Sequence, residues 1–155
     1  MLSSLQPRKL EILCQKNVTY FAYGSGPHVL ALCKEGDVYA WGHNGYCQLG
    51  NGNTNHGMTP NLLQGALAGK RVTTVACGSH HSVCLTTEGE VFAWGQNNCG
   101  QIGSGTTTNQ STPKKIIYAH ASKFPSAMAT KLACGQTSTM MILDSGELFG
   151  WGCTL

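Results

Sequence analysis

Gly89-Glu90-Val91-Phe92-Ala93-Trp94-Gly95 is written three times along this chain with small changes. The other copies are Gly36-Asp37-Val38-Tyr39-Ala40-Trp41-Gly42 and Gly146-Glu147-Leu148-Phe149-Gly150-Trp151-Gly152, and the tryptophans stand 53 and then 57 residues apart. A recurrence of that period means a chain assembled from copies of one supersecondary unit. Further anchors return in register. Pro7, Pro60 and Pro113 are spaced by 53 and 53 residues. A small-residue turn follows each proline: Tyr23-Gly24-Ser25, Cys77-Gly78-Ser79 and Cys134-Gly135-Gln136. His28 and His81 open apolar runs, and Ser138 takes that place in the third copy. After Trp-Gly, the turn from Asn44 to Gly52 is matched by the turn from Asn97 to Gly105, with Cys47 standing where the second copy has Gly100.

These runs read as short strands. Val72 to Cys77, Ser82 to Thr86 and Val91 to Trp94 are β-branched or aromatic and bounded by Gly, Ser and Thr. Thr87-Glu88-Gly89-Glu90 reads as a hairpin link with glycine available for a positive φ. A fourth strand is expected around Lys114 to Ile117, with Pro113 suited to its first position or to an edge. Glycine interrupts most windows before a helical period can develop. The fold class is therefore all-β. Three to four antiparallel strands per ~50 residues is the make-up of a propeller blade, which gives a partial β-propeller of about three blades. Its repeat units run approximately over 1–52, 53–105 and 106–155, the first incomplete and the last truncated.

Composition agrees with a packed chain. Of 155 residues, 41% are hydrophobic and 11% charged, so disorder is excluded. The formal charge of +3 comes from scattered pairs such as Arg8-Lys9 and Lys114-Lys115, which carries no direct nucleic-acid signal. No run approaches the ~18 apolar residues of a membrane helix, and the first residues lack a secretory pattern. No membrane association is expected. Eight cysteines without a C-x-x-C pair read as reduced thiols of an intracellular protein, cytoplasmic or nuclear.

The phrase Gly-x-Val-Tyr/Phe-x-Trp-Gly, the following Asn-x-x-x-Gln-Leu/Ile-Gly and the preceding Cys-Gly-x-x-His resemble the regulator of chromosome condensation repeat. Within that superfamily, Tyr23-Gly24-Ser25-Gly26-Pro27-His28 and Ala40-Trp41-Gly42-His43-Asn44-Gly45-Tyr46 are most similar to proteins that join these repeats to a BTB domain. No BTB segment is present in the sequence. The resemblance implies a seven-bladed ring in the whole protein, closed by strands from both ends of the chain. Three blades alone imply exposed apolar faces, unpaired edges and self-association. The function implied is a protein-interaction scaffold, the recognition part of a ubiquitin-ligase adaptor in longer relatives. Alternatives are guanine-nucleotide exchange on a small GTPase such as Ran, or a truncated product without independent function.

His80, His81 and Cys77 invite a metal, but His81 shares its place with His28, and no further ligand has matching spacing. No metal and no cofactor are expected. Cys77 and Cys134 share one framework position, which favours buried packing over nucleophilic catalysis, so no catalytic residue is named and no enzyme is expected. Asp37, Glu90 and Glu147 are one repeated hairpin position, expected to face solvent. Trp41, Trp94, Trp151, Gly42, Gly95, Gly152, His28 and His81 are read as structural anchors. The third copy carries extra residues, because Pro113 to Gly135 is 22 residues against 18 from Pro60 to Gly78. They fall between Tyr118 and Ser126. A neutral loop insertion accounts for them, and a partner-binding loop using Tyr118, His120, Lys123 and Phe124 is the functional alternative.

Overall fold

The computed structural model describes residues 4–153. Three antiparallel sheets follow one another along the chain. The first holds β1 (Val18–Gly24), β2 (His28–Cys33), β3 (Val38–Gly42) and β4 (Gly57–Leu62) in sequential order. The second repeats it with β5 (Val72–Cys77), β6 (His81–Thr86), β7 (Val91–Gly95) and β8 (Gln110–Ile116). The third has three strands among the described residues, β9 (Ala129–Cys134), β10 (Ser138–Leu143) and β11 (Leu148–Gly152). This is the expected all-β partial propeller.

Each sheet is a blade stacked on the next, and the alternation of side chains along a strand explains how. In the second blade, Cys84, Phe92 and Trp94 point into a core shared with Leu30, Leu32, Val38, Ala40 and Leu49 of the first. Val83, Leu85, Val91 and Ala93 point the other way, into a core with Ala129, Met141 and Leu143 of the third. Every residue of β6 and β7 is buried because both faces of this blade are covered.

The turn phrase sets the hairpins. Residues 34–37 and 87–90 link second to third strands, with Gly36 and Gly89 at φ 91° and 79°. Cys47 sits at φ 66° where its counterpart Gly100 sits at φ 77°. A non-glycine side chain in the left-handed region costs of order 1–3 kcal/mol, partly offset by the greater chain entropy of glycine. Cys47→Gly is therefore expected to raise stability by about 1 kcal/mol, read as a higher denaturant midpoint at unchanged slope.

The fourth strand begins earlier than the sequence indicated. β8 starts at Gln110, and Pro113 lies inside it rather than at its first position. Ala93 pairs with Lys114 and Gly95 with Gln110, so the proline falls at the register shift, where no ladder donor is needed. β8 is also the outer strand of its sheet, so the edge placement holds.

Candidate functional site: the relay between blades and the inserted loop

The repeated polar residues meet where one blade touches the next. His28 Nε2 lies 2.9 Å from Ser82 Oγ of the second blade, and Ser82 Oγ donates to the Gln48 carbonyl at 2.8 Å. Trp94 Nε1–H donates to the same carbonyl at 2.9 Å. The second and third blades repeat the set: His81 Nε2 to Thr139 Oγ1 at 2.9 Å, Thr139 Oγ1 to Gln101 O at 2.7 Å, and Trp151 Nε1 to Gln101 O at 3.0 Å. A hydroxyl has one proton, and here it goes to the carbonyl. The imidazole therefore donates its Nε2–H and keeps Nδ1 unprotonated. Neither His28 Nδ1 nor His81 Nδ1 has a hydrogen-bond partner. Burial is the main cause that lowers both rings to a pKa of about 4. A Cβ at Gly24 or Gly78 would fall on the neighbouring imidazole, which explains the glycine in that turn.

Asn44 and Asn97 close the turns. Asn44 Nδ2 donates to Asn53 O and Asn55 O, both at 2.9 Å, and its Oδ1 accepts from Leu49 N at 2.9 Å. Asn97 makes the same contacts with Thr106 O, Thr108 O and Ile102 N. Gln48 and Gln101 each accept from the backbone of the residue two before them. All four side chains are buried.

Two expectations are corrected. Glu90 is not solvent-facing: it is clasped by Lys70 at 2.8 Å and Lys115 at 3.0 Å. Hydrogen bonds from Lys70 and then Lys115 hold its carboxyl below the usual range. Glu147 is half-buried, accepting from Ser122 Oγ, Ser145 Oγ and Lys123 N, whereas Asp37 is exposed. The cysteines are not all thiols, because Cys99 and Cys153 form a disulfide with Cα atoms 5.3 Å apart. The two are 54 residues apart in sequence, and only the stacking of the second and third blades brings them together. The other six are free. Burial pushes the Cys77 and Cys84 thiols far up and Cys134 up to about 12, so none of the three is an activated nucleophile.

The anchors divide by position. Trp94 is fully buried, while Trp41 and Trp151 are half-buried. Trp41 lies with Leu10, Leu13, Phe21, Tyr23 and Val29 on the uncovered face of the first blade. Gly42, Gly95 and Gly152 all have φ between 104° and 111°.

The inserted segment contains a short 3-10 helix, Ala119–Ala121. Tyr118 is a strut, its hydroxyl donating to Gly89 O at 2.5 Å and accepting from Ala129 N at 2.8 Å. His120, Lys123 and Phe124 are exposed, Phe124 by 54%. Glu147 pins the loop between them. His43, His56, His80 and Tyr46 form a second, partly exposed cluster, of which the sequence offered only His80 as a candidate ligand, with His43 and His56 ring centres 4.5 Å apart. Among the described residues no group of three or more His, Cys, Asp or Glu is arranged to hold a metal ion.

The family model of the regulator of chromosome condensation (RCC1) repeat matches residues 35–85 and 88–142, more than half of the chain. The chain belongs to that family. A second model of the RCC1 repeat matches residues 20–48 and 72–101. The spans of the first model begin just before β3 and β7 and run into the next blade, whereas those of the second begin in β1 and at β5 and stay within one blade. The human E3 ubiquitin-protein ligase HERC2 is 32% identical over 155 residues, covering 96% of this chain and 3% of HERC2. The mitochondrial RCC1 domain-containing protein RUG3 of Arabidopsis thaliana is 39% identical over 131 residues, covering 82% of this chain and 27% of RUG3. Human WBSCR16 superposes with a TM-score of 0.76 at 28% identity, over 91% of this chain and 35% of that one. Prp20p from Saccharomyces cerevisiae gives 0.74 at 21% identity, over 88% and 33%, a likeness of RCC1 fold alone. The chain thus spans from 3% to 35% of these proteins.

Proposed function

We propose that this chain is a protein-interaction scaffold whose blades hold the loop from Tyr118 to Phe124 against a protein partner. The observation that carries this reading is a division of labour. The imidazoles of His28 and His81, the indoles of Trp94 and Trp151, and the amides of Asn44, Asn97, Gln48 and Gln101 are all engaged within or between blades. The inserted loop instead presents His120, Lys123 and Phe124 to solvent while Glu147 fixes its backbone. Binding residues on loops over a rigid frame suit this arrangement. Aromatic and basic side chains are also common anchors of protein interfaces.

The partner belongs to the finer part of the proposal. HERC2 is named as a ubiquitin ligase, and the resemblance to BTB-bearing proteins points the same way, so substrate recognition for an intracellular ubiquitin ligase is the first choice. The second choice is a small GTPase. It is favoured by the likeness to Prp20p, a protein that binds Gsp1p and histones. Affinity capture with the intact chain, followed by mass spectrometry, identifies the partner. Phe124→Ala is then expected to weaken that partner about tenfold with an unchanged unfolding midpoint. An unchanged affinity removes the loop from the proposal. Accelerated GDP release from Ran would move the assignment to nucleotide exchange.

A further inference from the structure

We propose that Cys99 and Cys153 form a reversible thiol–disulfide site that locks the second blade to the third, closed by a small disulfide such as oxidised glutathione and opened by its thiol. The pair brackets a single contact across the joint. Trp151 Nε1–H donates to the Gln101 carbonyl at 3.0 Å, with Cys99 two positions before the acceptor and Cys153 two positions after the donor. Cys99 N–H donates to Gln101 Oε1 at 2.9 Å, and Cys153 N–H donates to the Thr137 carbonyl at 3.0 Å. Both residues are thus placed by the frame and not by their sulfurs.

The joint between the first and second blades shows that this frame closes without the bond. Tyr46 and Gln96 hold the positions of Cys99 and Cys153 there. Trp94 Nε1–H still donates to Gln48 O at 2.9 Å, Tyr46 N–H to Gln48 Oε1 at 2.9 Å, and Gln96 N–H to His80 O at 2.9 Å. The two joints make the same three contacts, one with a covalent link and one without. The Cα atoms of the pair are 5.3 Å apart, within the span a disulfide bridges without backbone movement. One backbone therefore accommodates both the thiols and the disulfide, as a site that cycles requires.

Access separates this pair from the other cysteines. Cys99 and Cys153 are each half-buried, on turns that follow the tryptophans. Burial pushes the thiols of Cys33, Cys47, Cys77, Cys84 and Cys134 up, and the thiolate is the form that reacts. Cys14 is exposed, on the segment before the first blade. Closure runs in two exchanges. One cysteine thiolate attacks a sulfur of glutathione disulfide and expels a glutathione thiolate. The other then attacks the protein sulfur of the mixed disulfide and expels the second glutathione. The pair loses two electrons and two protons, which leave on two glutathione thiols, and opening is the reverse. Because the fold holds the cysteines together, the second exchange is intramolecular and favoured over attack by free thiol. In a reducing compartment a disulfide of this kind is transient and redox-sensing.

The test equilibrates the 155-residue protein in glutathione buffers from reduced to oxidised, then alkylates it and maps the cysteines by mass spectrometry. Cys99 and Cys153 should pass together between two alkylated thiols and one linked peptide pair, while the buried cysteines stay thiols and Cys14 takes only a mixed disulfide. Deuterium exchange of the indole N–H groups, followed by NMR, reads the lock itself. Opening the pair should speed exchange at Trp151 about tenfold relative to Trp94, which makes the same contact across the unlinked joint, with the strand signal in circular dichroism unchanged. Cys99→Ser should give the Trp151 rate of the reduced protein under oxidising conditions. A link that does not form in oxidised glutathione, a link whose opening abolishes the strand signal, or a Trp151 rate that keeps its ratio to Trp94 in both states would each overturn the proposal.

Discussion

Trp94→Ala lowers the free energy of unfolding by about 3–5 kcal/mol, the largest loss expected of any single truncation here. The indole is fully buried between the first two blades, packed in one core with Leu30, Val38, Leu49 and Phe92. Removing it leaves a cavity bounded by two sheets that are each fixed by their own ladders, so collapse around it is limited. It also deprives the Gln48 carbonyl of one of its two donors, although Ser82 still serves it. Chemical denaturation checks the value. Trp151→Ala should cost distinctly less, because that ring is only half-buried. Equal losses at both sites would contradict the packing account.

Acidification gives the second large effect. His28 and His81 have folded pKa values of about 4, below the ordinary 6.5, chiefly because burial penalises the charged ring. The unfolded chain therefore binds more protons than the folded one between pH 6.5 and 4, and stability rises with pH over that window. The contribution is whole above pH 6.5 and is lost as the pH falls towards 4. A shift of that size corresponds to about 3 kcal/mol for each ring at the acid end. Glu90 and Glu147, held below the usual carboxylate range by their hydrogen bonds, extend the loss to lower pH in the same direction. Denaturant midpoints measured from pH 8 to 4 should stay flat and then fall, while neither ring titrates in the native protein near pH 6.5. An imidazole that titrates there would remove the effect.

Much of this frame is legible in the sequence because one short phrase fixes three things at once. Its glycine sets the hairpin, its alternating apolar residues set the two faces, and its tryptophan reports the neighbouring blade. The histidines were readable as structural for the same reason, since 28 and 81 share a place. The partners Ser82 and Thr139 were also in view, each directly after the His position, but the relay joins different blades, and spacing within one repeat does not reveal that. The same holds for Cys99 and Cys153. The clasp of Glu90 depends on Lys70 from the preceding loop and Lys115 from the outer strand, which meet only after the sheet has formed. The inserted loop is legible in the longer spacing from Pro113 to Gly135, yet the role of Tyr118 as a strut depends on Gly89 and Ala129, distant on both sides.

The turns after the tryptophans explain how such a frame can drift so far in sequence. Asn44 and Asn97 reach main-chain carbonyls, those of Asn53 and Asn55 in one case and of Thr106 and Thr108 in the other. A carbonyl is supplied by every residue type, so the positions that supply it carry almost no spelling constraint. One asparagine in each turn stays obligatory, and the residues around it are free to be rewritten. The rim can thus acquire new wording for new partners while its grammar, held in a few glycines, asparagines and tryptophans, stays as it was.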